Sequence, residues 1–318
     1  MLKLDLFDKI LLTELDKSSA ADLGKLAKRI KRSKQFVLYR MKKLEEAGVI
    51  TGYTAIVDMS RLGYFTFRVY FDLQNITEAQ KKEMIGFLKT LQSVWTITTM
   101  HEKWDLAVFL GVKSVQEFHT IREAIFLRYK EKIKQYNISV YAPIYNFNRQ
   151  FLLNAPEITE VRVYGEGLGE AISEFDVKLL HVYASNVRAS SLEISRILGV
   201  SADTVRSHIK KLEEQNIIVG YKLGLNVELL GYESYRVDVA LKSMERYREL
   251  FTYCKNHKNI YQINKTIGGA DFEFEAVVRD KAHLMMILDE LKQKFCEMIV
   301  DTEYFGFSTF HLLNYIPD

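Results

Sequence analysis

The chain has 318 residues with 48% hydrophobic content, which can fill more than one core and excludes intrinsic disorder. Its 44 Lys and Arg against 41 Asp and Glu leave a net charge of only +3, and its two cysteines, Cys254 and Cys296, exclude a repeated disulfide framework and favour a reducing compartment. Acids interrupt the N-terminal apolar stretch and no run approaches the roughly 20 apolar residues of a membrane span, so we expect a cytoplasmic protein without a membrane partner.

One pattern repeats along the chain at a constant offset of 168 residues. The pentapeptide KKLEE occurs at 42–46 and again at 210–214, and the pairs Gly52-Tyr53 and Leu62-Gly63 recur as Gly220-Tyr221 and Leu230-Gly231. A period this long corresponds to a whole domain pair rather than to a solenoid unit. We therefore interpret the chain as two copies of one architecture fused in a single polypeptide.

Positive charge is concentrated in the first copy. Residues 1–156 carry 25 Lys and Arg against 16 Asp and Glu, whereas the rest of the chain carries 19 against 25. Nine of the cations lie between Lys25 and Lys43, a window that contains no acid. A basic stripe on short helices indicates a polyanionic partner, of which nucleic acid is the commonest, although a solvated helix face gives the same pattern.

The first 58 residues of each copy are predicted to form three helices and a short β-hairpin. Ser33 and Ser201 are placed as N-caps of the third helix, because a serine hydroxyl can accept from the free amides of the first turn. Apolar residues then recur at steps of four and three, at Val37, Met41 and Leu44 in the first copy. These three side chains are expected to point inward, which leaves a polar face outside.

The outer face of this third helix is polar and basic, as a helix-turn-helix recognition helix requires. Its N-terminal part would enter the major groove, so we assign base-edge contacts to Lys34 and Gln35. The basic residues around them are assigned to phosphates. Pairing with nearby acids is the alternative for Arg40 and Lys43. The predicted DNA-contacting residues are Lys31, Arg32, Ser33, Lys34, Gln35, Tyr39, Arg40, Lys42 and Lys43, with Ser201, Arg206 and Lys210 in the second copy.

Each copy continues as strand, helix, strand, strand, helix, strand. This βαββαβ order predicts a ferredoxin-like sandwich with one sheet face left open. The alternating residues Phe67, Val69 and Phe71 predict that the open faces of the two sheets pack on each other, because the exposed apolar area would otherwise be too large. The predicted fold class is α+β, with two winged helix-turn-helix domains alternating with two ferredoxin-like domains whose sheets pack as an intramolecular pseudo-dimer.

Pro156 and the glycines at 165, 167 and 169 predict a linker between the copies that is flexible near its end. The predicted domains are a winged helix-turn-helix at 1–58, a ferredoxin-like effector and oligomerisation domain at 59–153, the linker at 154–171, a second winged helix-turn-helix at 172–228 and a second ferredoxin-like domain at 229–318.

The two copies resemble the leucine-responsive and asparagine-regulator (Lrp/AsnC, feast/famine) transcription factors over nearly the full chain. The residues that carry the resemblance in the first copy are Asp8, Ile10-Leu11, Leu26-Ala27, Ser33, Val37, Arg40, Lys43 to Glu46, Gly48 to Ile50, Gly52-Tyr53 and Leu62-Gly63. The resemblance implies a winged helix-turn-helix that binds double-stranded operator DNA, and a ferredoxin-like domain through which members dimerise. It also implies an amino-acid or small-metabolite effector, and a homo-oligomer of the fused pseudo-dimer as a further assembly.

The copies depart from the family pattern in different places. The family usually has glycine in the turn before the recognition helix, as at Gly199, whereas the first copy has Lys31 there. The second copy has Asp203 on the outer face, where a carboxylate repels phosphate, and His208 in place of Arg40. We therefore interpret the first copy as the main DNA anchor.

The family's effector loop carries a Gly-x-x-Asp pattern, which this chain has once, as Gly268, Gly269, Ala270 and Asp271. The resemblance implies that the amides of this loop hold a carboxylate and that Asp271 accepts from an ammonium, whereas only Asp105 matches in the first copy. A plain β-turn in both copies is the alternative.

Two other functional classes stay open at this stage. Siroheme decarboxylases are similar in fold and work as paired halves, and His101 is the one feature that favours such a tetrapyrrole enzyme. An architectural protein with little sequence preference shares the basic helix but would bind all duplexes alike. Because no nucleophile triad, phosphate loop or zinc cluster is present, we nominate no catalytic residues, cofactor or metal ligand and predict that the chain is not an enzyme.

Overall fold

The computed structural model of the protein describes residues 3–153, 161–314 and 316, and the structural statements below concern those residues. Residues 154–160, the first part of the predicted linker with Pro156, lie outside them. Within the described ranges, no helix is both long and apolar enough to cross a bilayer.

The first copy begins with three helices, α1 (Leu6–Lys17), α2 (Leu23–Ile30) and α3 (Lys34–Glu46), and a strand, β1 (Ile50–Val57). It continues as β2 (Phe65–Leu73), α4 (Glu78–Lys89), β3 (Val94–His101), β4 (Leu106–Val112), α5 (Val115–Tyr129), one 3-10 turn (Lys130–Lys132) and β5 (Ile133–Phe147). The βαββαβ order predicted from the sequence is therefore present.

A short strand, β6 (Val161–Tyr164), precedes the second copy. This copy repeats the order as α6 (Glu174–Tyr183), α7 (Ser191–Leu198), α8 (Ala202–Glu214), β7 (Ile218–Leu225), a 3-10 turn (Glu228–Leu230), β8 (Glu233–Leu241), α9 (Tyr247–Asn256), β9 (Ile260–Ile267), β10 (Phe272–Val278), α10 (Lys281–Lys294) and β11 (Ile299–Leu313).

The predicted hairpin within each winged unit is wrong. Each unit supplies one strand, and β1 pairs antiparallel with β7 of the other copy, so that Tyr53 lies opposite Leu223. The helices of both units also share one apolar core, in which Leu11 and Leu26 of the first copy join Leu179 and Ile194 of the second. The two helix-turn-helix units are therefore held against each other as one body.

The two ferredoxin-like sheets join at both of their edges. The strand order is β2-β4-β3-β11-β8-β10-β9-β5, and β5 also pairs with β2, so eight strands close on themselves while β6 extends β5. The seams between the copies are β3 with β11 and β5 with β9. The pseudo-dimer is thus built from main-chain hydrogen bonds at two edges as well as from facing side chains.

The faces of β2 are the reverse of the prediction. Phe67, Val69 and Phe71 pack beneath the helices of their own copy, with Met84 of α4 and Phe118 of α5. The residues between them, among them Arg68 and Tyr70, lie on the face toward the other copy. The alternation of residues along β2 does not show which face lies toward the helices, because both faces of the strand are buried.

Residues 161–167 of the predicted linker contact the first copy, whereas residues 168–171 are exposed. β6 pairs with the end of β5, the Gly165 amide donates to Asp58 Oδ1 at 3.0 Å and the Gly167 amide donates to Ser60 Oγ at 2.6 Å. A Cβ at Gly167 would lie 2.5 Å from the backbone nitrogen of Arg61, so this close approach requires glycine.

Candidate nucleic-acid interface

Each copy forms a helix-turn-helix corner, between α2 and α3 and between α7 and α8. The Phe36 amide donates to Ser33 Oγ at 3.1 Å and the Thr204 amide donates to Ser201 Oγ at 3.0 Å, so both serines cap the third helix as predicted. The turns contain a left-handed residue at the same place, Lys31 with φ 56° and Gly199 with φ 68°. The basic turn of the first copy therefore has the backbone shape that glycine gives the second.

An open groove of about 940 Å³ lies along the α2–α3 corner. Its charged lining consists of five cations and one acid: Lys25, Lys28, Lys31, Arg32, Lys34 and Asp22. Asp22 is already engaged as the cap of α2, because the Gly24 and Lys25 amides donate to its Oδ1 at 2.7 and 3.0 Å. The backbone hydrogen bond from Lys25 is the main cause that lowers the pKa of Asp22. The groove is therefore strongly positive.

The outer face of α3 is free of covering elements. Lys34, Gln35 and Lys42 are exposed, as are 64% of Tyr39 and 54% of Leu38. Within the part of the chain that the structure describes, the acid that pairs with Lys42 is Glu46, one turn along at 3.7 Å. The helix can therefore present its N-terminal half and its middle to a groove of a duplex.

Arg32 is positioned by aromatic contacts at the same corner. Its guanidinium carbon lies 4.3 Å from the centre of the Phe7 ring and 6.0 Å from that of Phe36, while the residue stays exposed. Phe7 and Phe36 contact each other edge to face at 5.6 Å. Cation–π contact with these rings holds Arg32 in place, and no acid among the described residues pairs with it.

Arg40 lies in a different environment from the other predicted phosphate contacts. Its guanidinium contacts Asp5 Oδ2 at 2.7 Å and donates to Asp8 Oδ1 at 3.1 Å, which joins α3 to the start of α1. Burial acts against ionisation of Asp5, but the Asp8 amide and Arg40 outweigh it and lower the pKa of Asp5. The alternative considered for Arg40, pairing with a neighbouring element, is the arrangement that the structure has.

The corresponding face of the second copy is less basic than that of the first, because residues 193–211 carry four Lys and Arg against two acids. Arg206 pairs with Asp203, and Lys210 pairs with Glu214 at 3.4 Å. His208 Nδ1 lies 2.6 Å from Asp176 Oδ1, in the place that the Arg40–Asp8 contact has in the first copy. Burial opposes ionisation of Asp176, but hydrogen bonds from His208, Ser173 and Lys211 lower its pKa to about 2. This carboxylate therefore holds the helices of the unit together.

The two predicted effector loops share one structural contact. The Leu241 amide donates to Asp271 Oδ2 at 2.8 Å, and the Leu73 amide donates to Asp105 Oδ2 at 2.8 Å. Glu102 has φ 83°, close to the φ of 82° at Gly268, so the first-copy loop keeps the same turn without glycine. Both aspartates thus hold the end of a neighbouring strand, as expected of a structural turn.

A charged cluster that the sequence analysis missed lies between the sheets beside this loop. Glu273, fully buried, accepts from Arg68 at 2.9 and 3.1 Å, from Arg236, from Thr266 at 2.8 Å and from the Ala270 amide at 3.0 Å. The Ala270 amide, which the resemblance assigns to an effector carboxylate, therefore already donates to the carboxylate of Glu273. The signal for this cluster was an arginine at matching positions, 68 and 236, in the middle of two predicted strands.

Comparison with known proteins agrees with the geometry of the corners. Residues 172–219 match the family model described as winged helix-turn-helix DNA-binding. The HTH-type transcriptional regulator Ptr1 of Methanocaldococcus jannaschii is 30% identical over 119 residues, which cover 37% of this chain and 80% of that protein. The HTH-type transcriptional regulator LrpA of Pyrococcus abyssi is 32% identical over 99 residues, covering 27% of this chain and 70% of its own.

One solved structure matches both copies together. The siroheme decarboxylase NirDL covers 98% of this chain and 94% of its own with a TM-score of 0.63 and 14% identity, a level at which the likeness shows the fold alone. The prediction that the chain is not an enzyme, made from the absence of catalytic motifs, is wrong, because an enzyme has this architecture over nearly its whole length. The fold leaves enzymatic activity open.

The same family is indicated by the paired helix-turn-helix corners, by the ferredoxin-like sheets and by the extent of the match to Ptr1. The chain belongs to the Lrp/AsnC family of helix-turn-helix transcriptional regulators, with the family's architecture present twice in one polypeptide.

Proposed function

We propose that this regulator binds double-stranded DNA with sequence preference, mainly through the α2–α3 corner of its first copy. The observation that carries the proposal is the exposed cationic groove of that corner, with five basic side chains and a single acid that is engaged in capping. Such a surface attracts the phosphate backbone and gives the salt dependence typical of DNA binding.

The residues divide into two roles. Lys34 and Gln35, at the exposed N-terminus of α3, contact base edges in the major groove. The cations around them contact phosphates, and Tyr39 with Ser33 flanks the same surface. Arg40 supports this surface from below through Asp5 and Asp8 rather than through a phosphate. The phosphate-contacting residues of the first copy are Lys31, Arg32, Lys42 and Lys43.

The second corner contributes less to affinity. Ser201, Arg206 and Lys210 lie on its surface, but Asp203 stands where the first copy has Gln35 and pairs with Arg206. Both corners are expected to meet one face of a duplex about one helical turn, roughly 34 Å, apart, as paired helix-turn-helix units do. The operator would then be asymmetric, with a strong and a weak half-site.

Charge reversal at the first corner tests this proposal. The double variant Arg32→Glu, Lys34→Glu should lower affinity for duplex DNA at least tenfold at moderate salt and flatten the dependence of affinity on salt, measured by fluorescence anisotropy. The matched control is Lys82→Glu, Lys89→Glu on the exposed side of α4, which changes the net charge equally. Equal affinity of the corner variant and the wild type would refute the proposed surface.

We also propose that a small-molecule effector acts at the inter-sheet region bordered by the loop 268–271 and by Asp105, and that it changes how fused pseudo-dimers associate into homo-oligomers. Support comes from the position of this loop at the seam between the copies, where Asn137 of β5 donates to the Gly268 carbonyl at 3.1 Å. Light scattering of the full chain with and without candidate metabolites measures such a change directly.

A tetrapyrrole enzyme is the second candidate, and the full-length likeness to NirDL is the observation that favours it. The structure of NirDL is also known in complex with an iron-uroporphyrin III analogue. Titration of this chain with an iron tetrapyrrole separates the two readings. A tight, stoichiometric change in the Soret band would favour the enzyme, whereas DNA binding without any such change would favour the regulator.

A further inference from the structure

We propose that the cavity between the two copies is a binding site for a small organic cation, an ammonium or guanidinium compound with a short aliphatic body. The inference deepens the proposed function, on which it rests, because it names the chemistry of the effector. The cavity has a volume of about 340 Å³, within the range of sites for small molecules.

Carboxylates outnumber cations in the wall of this cavity. Asp238, Asp301 and Glu303 line it, and among the described residues Lys103 is the one cationic side chain of the lining. Arg236 donates to Asp238 at 3.2 Å, but together with Arg68 it faces the two buried acids Glu273 and Glu275. The arginines are thereby balanced, and the cavity wall keeps an excess of negative charge that favours a cationic ligand.

The contacts of Lys103 show that the cavity wall can bind an ammonium group. Its ammonium contacts Glu303 Oε2 at 2.5 Å and lies 5.3 Å from the centre of the Trp104 ring. A carboxylate beside an aromatic face is the arrangement that binds ammonium and guanidinium groups. Lys103 therefore acts as an internal stand-in for part of the ligand.

A second, independent observation is the hydroxyl of Tyr70. Tyr70 lines the cavity and is 1% exposed, yet its hydroxyl has no hydrogen-bond partner among the described residues. Buried hydroxyls in folded proteins are normally hydrogen-bonded. The phenol oxygen can accept from an N–H group of a cation held in the cavity.

The internal repeat explains why the two sides of the cavity differ. Tyr70 pairs across strands with Asn137 in the first copy, and the equivalent pair in the second copy is Asp238 with Glu303. One side thus offers an aromatic and an amide, and the other offers two carboxylates. Identical chains in a homodimer would place like residues on both sides, whereas fusion allows a site with one acidic and one aromatic wall.

Calorimetry on the full chain without DNA tests the inference. Butylamine and agmatine should bind with one site per chain, and butanol, the uncharged counterpart of butylamine, should bind at least tenfold more weakly. Tyr70→Phe and Glu303→Gln should each weaken amine binding roughly tenfold, as loss of a hydrogen bond to a charged group predicts. The control Asp289→Asn, on the exposed side of α10, should bind like the wild type.

A variant that gains affinity distinguishes loss of amine binding at the site from loss of binding through misfolding. Lys103→Gln removes the competing ammonium and should tighten amine binding several-fold. No binding of either amine at millimolar concentration, equal binding of butanol, or unchanged binding by both cavity variants would overturn the inference. Duplex binding by the wild type in any of those cases would leave the DNA proposal intact, and the Arg32→Glu, Lys34→Glu variant should still bind amines.

Discussion

Lys31 combines a cationic side chain with a backbone conformation that favours glycine. Its φ of 56° ends α2 in the left-handed region, and its amide donates to the Lys28 carbonyl at 3.3 Å. The equivalent residue of the second copy is Gly199. A lysine in this conformation costs about 1 kcal/mol relative to an unstrained residue, and its retention in the first corner fits a role for the side chain.

The substitution Lys31→Gly separates these two effects. It should raise the free energy of unfolding by about 0.5 kcal/mol, because relief of the strain outweighs the larger entropy of glycine in the unfolded chain. It should also weaken duplex binding, because one phosphate contact is lost. Chemical denaturation and anisotropy on the same preparation measure both. Lower stability together with unchanged DNA binding would contradict this account of Lys31.

Contacts within one element could be predicted from the sequence, whereas contacts between elements could not. Both serine caps follow from local chemistry and are present, because a cap involves only the next turn of its own helix. The bond from the Leu241 amide to Asp271 and the contact of Ala270 with Glu273 depend on strands brought together by the tertiary fold. Nothing in the local spacing of that loop specifies them.

At the scale of elements, the strands were located well but their partners were not. Each winged unit was expected to close its own hairpin, whereas β1 finds its partner in β7 of the other copy. Either pairing satisfies the hydrogen-bonding groups of one strand edge, so the sequence of β1 does not distinguish them. The same limit applies to β2, whose two buried faces made the assignment of Phe67, Val69 and Phe71 wrong.

A buried ion pair connects the winged helices to the sheets. Asp16, near the end of α1, accepts from Arg149 Nε at 2.9 Å and from the Arg149 amide at 2.5 Å, just beyond β5. The guanidinium also donates to the Leu223 carbonyl of β7 at 2.5 Å. Three elements that belong to different layers therefore meet at Arg149.

Removal of the Asp16 carboxylate tests how much the Asp16–Arg149 ion pair contributes to stability. Asp16→Ala leaves the Arg149 guanidinium buried without its counter-charge and should lower the free energy of unfolding by about 3–5 kcal/mol. The exposed acid Asp203 provides the control, since Asp203→Ala should change it by less than about 1 kcal/mol. Urea denaturation followed by circular dichroism gives both values. Similar decreases in the free energy of unfolding of the two variants would contradict a stabilising role for the Asp16–Arg149 ion pair.

At the scale of the molecule, fusion gives two copies of a symmetric design the freedom to differ. The helix-turn-helix units share one core and the sheets share two seams, so the arrangement is that of a dimer. Charge is nevertheless divided unequally: the first copy has the open cationic groove, and the corner of the second has fewer cations, one of which pairs with Asp203. The cavity between the sheets has the same asymmetry, with aromatic residues on one side and acids on the other.

Selection of bound duplexes from a random pool tests the central claim, DNA recognition by the first corner, most directly. The wild-type chain should enrich an asymmetric site with one strong half-site and a weaker one about one helical turn away. The Arg32→Glu, Lys34→Glu variant should lose the strong half-site, while the Lys82→Glu, Lys89→Glu control should enrich the same site as the wild type. A pool that stays random with the wild type, or the same enriched site with the corner variant, would contradict the account.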